Sequence, residues 1–404
     1  MIKKIAIEQL KIGMYVHDLN CDWLDHGFIR NQFLLKKETD LLRIREIGIC
    51  DLYIDTAKGT DAAPAPSARV VTAALEQELV QLDVVPAPQP VPLTAERGRA
   101  RRIHQEAIGV VSGLMEEARL GHQLNLEQAN PVVTEMIGSI FRNQNALLAL
   151  SRIRQVGRYT FEHSVNVAVL MVAFARALQV ERTLIHDIGL GALLHDIGKV
   201  LVPPEILNKP GALTDAEFTV MRNHVVYTRD LLAQVPGLPP IALAVAAEHH
   251  ERVDGSGYPQ HKSSADISLY GQMAAIADVY DALTTDRVYH KALEPHQALR
   301  KLLEWSNHHF DPTLVQQFIR CVGIYPVGTL VRLHSGRLGV VVETGRQGLL
   351  QPVVRVVMDA KRRAFLTAQD VDLSQLPKQS EERIVNAEVP SQWDIDPVQV
   401  LALG

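Results

Sequence analysis

From about residue 95 to residue 322 the chain keeps one texture, with apolar residues recurring at helical spacing in segment after segment. A stretch that long with a single periodicity confines the middle of the molecule to an all-α bundle. Its opening, "ERGRARRIHQEAIGVVSGLMEEARLG", reads as a long leading helix whose basic start is a solvated face. Its most apolar run, "SVNVAVLMVAFARALQV" (164–180), is interrupted by Asn166 and Arg176 and is short for a membrane span. A buried core helix is the expectation there.

The flanks differ. Residues 1–56 alternate apolar and polar residues in short runs ("KIAIEQL", "CDLYIDT") around one amphipathic helix, "KKETDLLRIREIG", which suggests a small α+β domain. Residues 57–94 hold two proline-rich strings, "KGTDAAPAPSA" and "VVPAPQPVPLT", on either side of a short helix, "RVVTAALEQELVQL". Repeated proline favours extended backbone and removes donors, so these strings read as linkers. Residues 95–134 are leading helices and 135–322 the main bundle. Residues 323–373 carry β-branched runs between glycine turns, a small β unit, and 374–404 read as a polar tail. The expected fold class is mainly α, an all-α bundle with a small N-terminal α+β domain and a small C-terminal β unit.

Composition narrows the partners. A formal net charge of -5 gives no reason to expect DNA or a membrane surface. Three separated cysteines without a CxxC fit a reducing cytoplasm, and "MIKKIAIEQLKIGMYV" lacks the apolar core of a signal peptide. The expectation is a cytoplasmic protein. Arg337 and Arg346 in the β unit could suggest RNA, but a packing appendage is the stronger reading.

Within the helical region, chemistry-bearing residues follow in order: His163, the pair His195/Asp196 in "LLHDIGK", His224, the pair His249/His250 in "EHHERVDGSGYP", and Asp278 in "AIADVYDALTTDR". Each is expected at or near a helix end. Imidazole suits zinc, copper, iron or nickel, and carboxylates can bridge two cations and suit manganese. Five histidines and two aspartates suffice for two metal ions with positions left open. Such a pair favours phosphoester hydrolysis, because it stabilises attacking and leaving oxygens and lowers the pKa of a bridging water. Asp196 is the expected bridge and Lys199 the expected phosphate ligand.

The tetrapeptide HDIG occurs twice, at 186–189 and 195–198. On one unbroken helix Asp187 and Asp196, nine residues apart at about 100° each, would point roughly 180° from one another. Only the second copy is followed by a lysine. His186/Asp187 therefore reads as a solvated face. The pair His308/His309 reads as a loop before a helix capped by Asp311 with Pro312 in its first position.

The order H, HD, H, HH, D, with "HDIGK" and "HHERVDGSGYP" intact, resembles the HD-GYP subgroup of HD-domain phosphohydrolases over residues 135–322, and residues 1–56 resemble a small domain of unknown function found ahead of it. The resemblance implies hydrolysis of cyclic di-GMP to pGpG or GMP with two divalent ions, iron or manganese. It implies His163, His195, Asp196 and Asp278 as ligands of the general site, and His224, His249 and His250 as ligands of a second ion. It implies Lys199 near the scissile phosphate, Arg287 and Lys291 near substrate phosphates, and Gly257, Tyr258 and Pro259 as a signature loop shaping the substrate entrance or docking a partner. Departures are Val225 and Val288 for prolines, His290 for an arginine, and Tyr159 where members with a third metal carry glutamate, which argues for two ions. Open alternatives are a cyclic di-GMP receptor with slow or no turnover and a phosphohydrolase of another nucleotide. A protein partner at the signature loop or the N-terminal domain, and a homodimer, also stay open.

Overall fold

The computed structural model describes residues 1–21, 32–46, 48–62, 64–83, 89–153, 159–211, 213–286, 292–306, 308–345, 347–377, 380 and 382–403. The N-terminal unit contains strands β1 (Ile2–Ala6), β2 (Tyr15–Asp18), β3 (Phe33–Leu34) and β4 (Asp51–Asp55), with helix α1 (Glu38–Glu46) packed across them. The sheet order is β1-β4-β2-β3, antiparallel throughout, over a core of Ile5, Leu10, Val16, Ile44, Leu52 and Ile54.

Helix α2 (Ala68–Gln81) starts where the Ser67 hydroxyl accepts the Val70 amide. The proline-rich strings beside it are not free spacers. Pro66 accepts the Lys4 amide, which ties the first string to β1. The second docks where the next helix pair breaks. Helices α3 (Leu93–Arg119) and α4 (Ala129–Leu150) pack along each other, and α4 leaves helical geometry at Asn143. There the Asn143 side-chain amide donates to Val91 O and Gln89 Oε1 accepts the Gln144 amide. The broken helical hydrogen bonds are thus remade with the linker.

The bundle continues through α5 (Tyr159–Ala177), α6 (Arg182–Leu194), α7 (Pro204–Leu207), α8 (Asp215–Arg222), α9 (His224–Leu232), α10 (Pro240–Glu248) and α11 (Leu269–Leu283). It closes with α12 (Pro295–Trp305) and α13 (Pro312–Val322). The expected core helix is α5, whose apolar residues from Val165 to Ala175 are buried in the main core. No helix among the described residues is long and apolar enough to cross a membrane. Asp311 caps α13 by accepting the Leu314 amide, with Pro312 next, as expected.

The C-terminal sheet has the order β8-β7-β6-β5-β9 from β5 (Leu330–Leu333), β6 (Arg337–Glu343), β7 (Val353–Asp359), β8 (Ala364–Asp372) and β9 (Ile384–Ala387). This corrects the polar-tail expectation. β9 lies inside the supposed tail and pairs with β5, and α14 (Pro397–Ala402) buries Val400 and Leu401 against the same sheet. Four residues with so little alternation are too weak a pattern to announce a strand, so only the free edge of β5 reveals it.

The N-terminal unit meets the bundle on α12. The buried Glu304 carboxylate accepts from Tyr53 Oη at 2.7 Å and Asn20 Nδ2 at 3.2 Å, and pairs with Lys4 at 2.7 Å. Lys301 donates to Asp18 and Asn20, and Trp305 Nε1 also donates to Asn20. From α2, Glu76 bonds His296 and Arg300. The start of the chain is thereby joined to the helix that follows the segment of Arg287 and Lys291.

Candidate metal centre

Helices α5, α6, α10 and α11 lie against one another, and their ends and faces converge on one buried space. A helix leaves its last carbonyls without intrahelical partners, and three histidines use that fact. His195 caps α6 and donates Nδ1–H to Ala192 O at 2.7 Å. His249 caps α10 and donates likewise to Ala246 O at 2.9 Å. His224 follows α8 and donates to Met221 O at 2.8 Å. In each case the bond to the carbonyl three residues back fixes the tautomer and turns Nε2 inward. His163 has a different anchor: its Nδ1 donates to Asp281 at 2.8 Å.

Asp196 sits at the middle. Its Oδ2 lies 3.5 Å from His163 Nε2 and 3.4 Å from His195 Nε2, while Oδ1 lies 3.4 Å from His224 Nε2. Asp278 Oδ1 is 2.9 Å from His163 Nε2, and its Oδ2 is 3.9 Å from His250 Nδ1. Three groups of ligand atoms arise, each with all members within 4.8 Å of one another: His163/His195/Asp278, His224/His249/His250 and His195/Asp196/His249. All seven side chains are buried.

Several of these atoms make no hydrogen bond within the protein. Nε2 of His195, His224 and His249, Nδ1 of His250 and Oδ1 of Asp196 are buried without a hydrogen bond. Leaving one buried polar atom unpaired costs roughly 1–3 kcal/mol, so five converging on one space are retained for a ligand. Burial pushes His249 and His250 well below the usual imidazole range and His224 down to about 4, so their lone pairs are available at neutral pH. Burial alone would raise the Asp196 carboxyl, but Lys199, His195 and His224 outweigh it and hold it well below the usual range. Neutral imidazoles around charged carboxylates suit divalent cations, and the donor set fits them.

Close approach makes the geometry. A Cβ on Gly198 would lie 2.2 Å from His224 O and 2.4 Å from Thr228 N, so only glycine lets the turn after Asp196 sit on α9. The Gly198 amide donates to Thr228 Oγ1 there.

All seven expected metal residues come together, with two corrections to the reasoning about them. Asp278 is not near a helix end but well inside α11, where contact with α5 and α10 buries the helix from Met273 to Leu283. The unbroken helix assumed for the two HDIG copies does not exist, because α6 stops at Leu194 and Asp196 opens a 3-10 turn. The first copy still lies apart: His186 and Asp187 are about a quarter exposed, and His186 Nε2 faces Asn130 O at 3.3 Å. Lys199 donates to Asp196 Oδ2 from the edge of the centre. Tyr258 is buried rather than presented at an entrance, with Gly257 beside it and Pro259 half-buried. Arg287, Val288, His290, Lys291 and Arg346 lie outside the described residues, as does the side chain of Tyr159. Asp281 was missed, though its place three residues after Asp278 in an otherwise apolar helix is a readable signal.

Comparison with known proteins divides the chain in three, and its first unit extends well beyond the 1–56 expected from sequence. A domain of unknown function (DUF3391) matches residues 2–129, an HD domain matches 142–314, and a KOW domain associated with HD domain matches 330–388. A cyclic di-GMP phosphodiesterase of Pseudomonas aeruginosa is 41% identical over 395 residues, covering 98% of this chain and 94% of its own. A 3'3'-cGAMP-specific phosphodiesterase of Vibrio cholerae is 34% identical over 193 residues, 45% of this chain and 37% of that one. A solved HDG"Y"P protein from Bdellovibrio bacteriovorus covers 79% of this chain and 98% of its own at 16% identity, with a TM-score of 0.48.

Proposed function

The chain belongs to the HD-GYP family of cyclic di-GMP phosphodiesterases, and we propose that it hydrolyses cyclic di-GMP to pGpG or GMP with two divalent ions, iron or manganese. His163, His195 and Asp278 would hold one ion, His224, His249 and His250 the other, with Asp196 between them. One observation carries this reading: the two oxygens of a single buried carboxylate face two different histidine groups. Two ions so held lower the pKa of a water and stabilise both oxygens of an in-line displacement.

The protein's own part is to orient and to manage protons. Lys199, bonded to Asp196 Oδ2, is proposed to hold a phosphate oxygen or give a proton near the leaving side. Arg287 and Lys291 are proposed to bind the other phosphates. The protein is proposed to act in the cytoplasm, with its N-terminal unit as the regulatory input and α12 as the point of entry of that input.

The test is anaerobic purification, metal analysis, and chromatography of products after incubation with cyclic di-GMP and, separately, 3'3'-cGAMP. Iron or manganese at two per chain with loss of cyclic di-GMP is expected. Intact cyclic di-GMP with both iron- and manganese-loaded protein would leave a receptor. Faster loss of 3'3'-cGAMP would assign the substrate suggested by the Vibrio relative.

A further inference from the structure

Of the five histidines at the centre, four donate a hydrogen bond from Nδ1, three to helix-end carbonyls and one to Asp281. His250 is the exception. Its Nδ1 is one of the unpaired atoms aimed into the centre, without the carbonyl or carboxylate that anchors the Nδ1 of the other four. The χ2 torsion of histidine is broad, so a ring without such an anchor needs another restraint to point one nitrogen at an ion.

The restraint at hand is the signature loop. The Tyr258 ring lies face to face with the His250 imidazole, centroids 4.6 Å apart and planes within 20°. The Tyr258 amide donates to His250 O at 3.1 Å, which ties the stacking residue to the backbone of the ligand it covers. Arg222, at the end of α8, lies over the Tyr258 ring at 4.8 Å. Glu251 accepts the amides of Gln260 and Lys262 and pulls the loop back onto the histidine pair. Gly257 permits that return, because a Cβ there would lie 2.4 Å from Arg252 N and 2.5 Å from His250 O.

We infer that Tyr258 is a positioning residue whose ring sets the orientation of His250 and so completes the His224/His249/His250 group. The inference rests on the two-ion reading above. It gives the signature tyrosine an inward role, in place of contact with substrate or a docking partner.

The test is titration of the full metal-free chain with cobalt(II), followed by its absorption spectrum, for wild type and for Tyr258→Phe, Tyr258→Leu and His250→Ala. Thermal unfolding establishes that each variant is folded, and Tyr258→Met replaces the leucine variant if that one is not. Loss of a supporting partner around a ligand weakens binding roughly ten- to a hundredfold. Tyr258→Leu should weaken one of the two cobalt sites by that factor and leave the other within about twofold. Tyr258→Phe keeps the ring and should restore wild-type binding. Two unaltered sites in Tyr258→Leu, or an equal loss in Tyr258→Phe, would overturn the inference. Two full-strength sites in His250→Ala would also overturn it, whereas a single cobalt site in the wild-type chain would instead remove the two-ion reading beneath it.

Discussion

Two buried polar clusters of this protein are finished differently. At the junction of the N-terminal unit with α12, Glu304 meets Tyr53, Asn20 and Lys4, and Lys301 meets Asp18 and Asn20. At the centre of the bundle, five ligand-type atoms are buried with no hydrogen bond. The closed cluster specifies how two units sit together. The open one gives up hydrogen bonds that folding could have supplied, and so marks where a ligand belongs.

Substitutions can break that contrast. The largest effect is expected from Asp196→Ala, which removes the carboxylate at the middle of the centre, between the two histidine groups. Turnover should fall to the uncatalysed background, and the purified protein should lose its metals, by product chromatography and metal analysis. Retained turnover would refute the assignment.

Next is Glu304→Ala. It leaves Tyr53 and Asn20 buried and Lys4 half-buried beside a hole, and each buried polar group left unpaired costs about 1–3 kcal/mol. Urea unfolding should show that loss, while the number of cobalt ions bound by the folded chain stays the same. A change in metal number would mean that the two clusters are not separable.

The clusters should also fail at opposite ends of the pH scale. In the metal-free protein, burial and the Lys199 charge hold His224 at about 4, against 6.5 ordinarily. The folded-state value lies below the unfolded one, so in that window the unfolded chain binds a proton that the folded chain does not. Stability is therefore lost as pH falls from 6.5 towards 4, by about 1.4 kcal/mol per unit for this group. At the junction burial lowers Lys4, but Glu304 and Asp51 outweigh it and raise the ammonium above its ordinary 10.5. Its contribution is present below 10.5 and is lost as pH rises beyond it. Urea midpoints measured from acid to alkaline pH should show both slopes, and substitution of Glu304 should flatten only the alkaline one.

The smallest effect belongs to Asp187→Ala in the first HDIG copy. Partly exposed and outside the centre, it should change stability by less than about 0.5 kcal/mol and leave turnover at the wild-type rate. A large loss of turnover would give the first copy a part in the site.

Much of the centre was legible because ligand chemistry restricts residue type. Only a few side chains bind such ions, and the string from His163 to Asp278 shows them in one helical region. The secondary-structure boundaries around them were less legible. Asp278 is expected near a helix end and proves to lie inside α11, and α4 looks continuous until the linker docks at Asn143. β9 depends on an open neighbouring edge that no local pattern encodes.

The sequence by itself determined the helical bundle, through its apolar period, and the identity of the metal-type residues, through their chemistry. Tertiary structure decided which carbonyls fix the histidine tautomers, and that Tyr258 faces inward onto His250. Those outcomes depend on distances between residues far apart in the chain. Side-chain type and local period carry no record of such distances until the helices have packed.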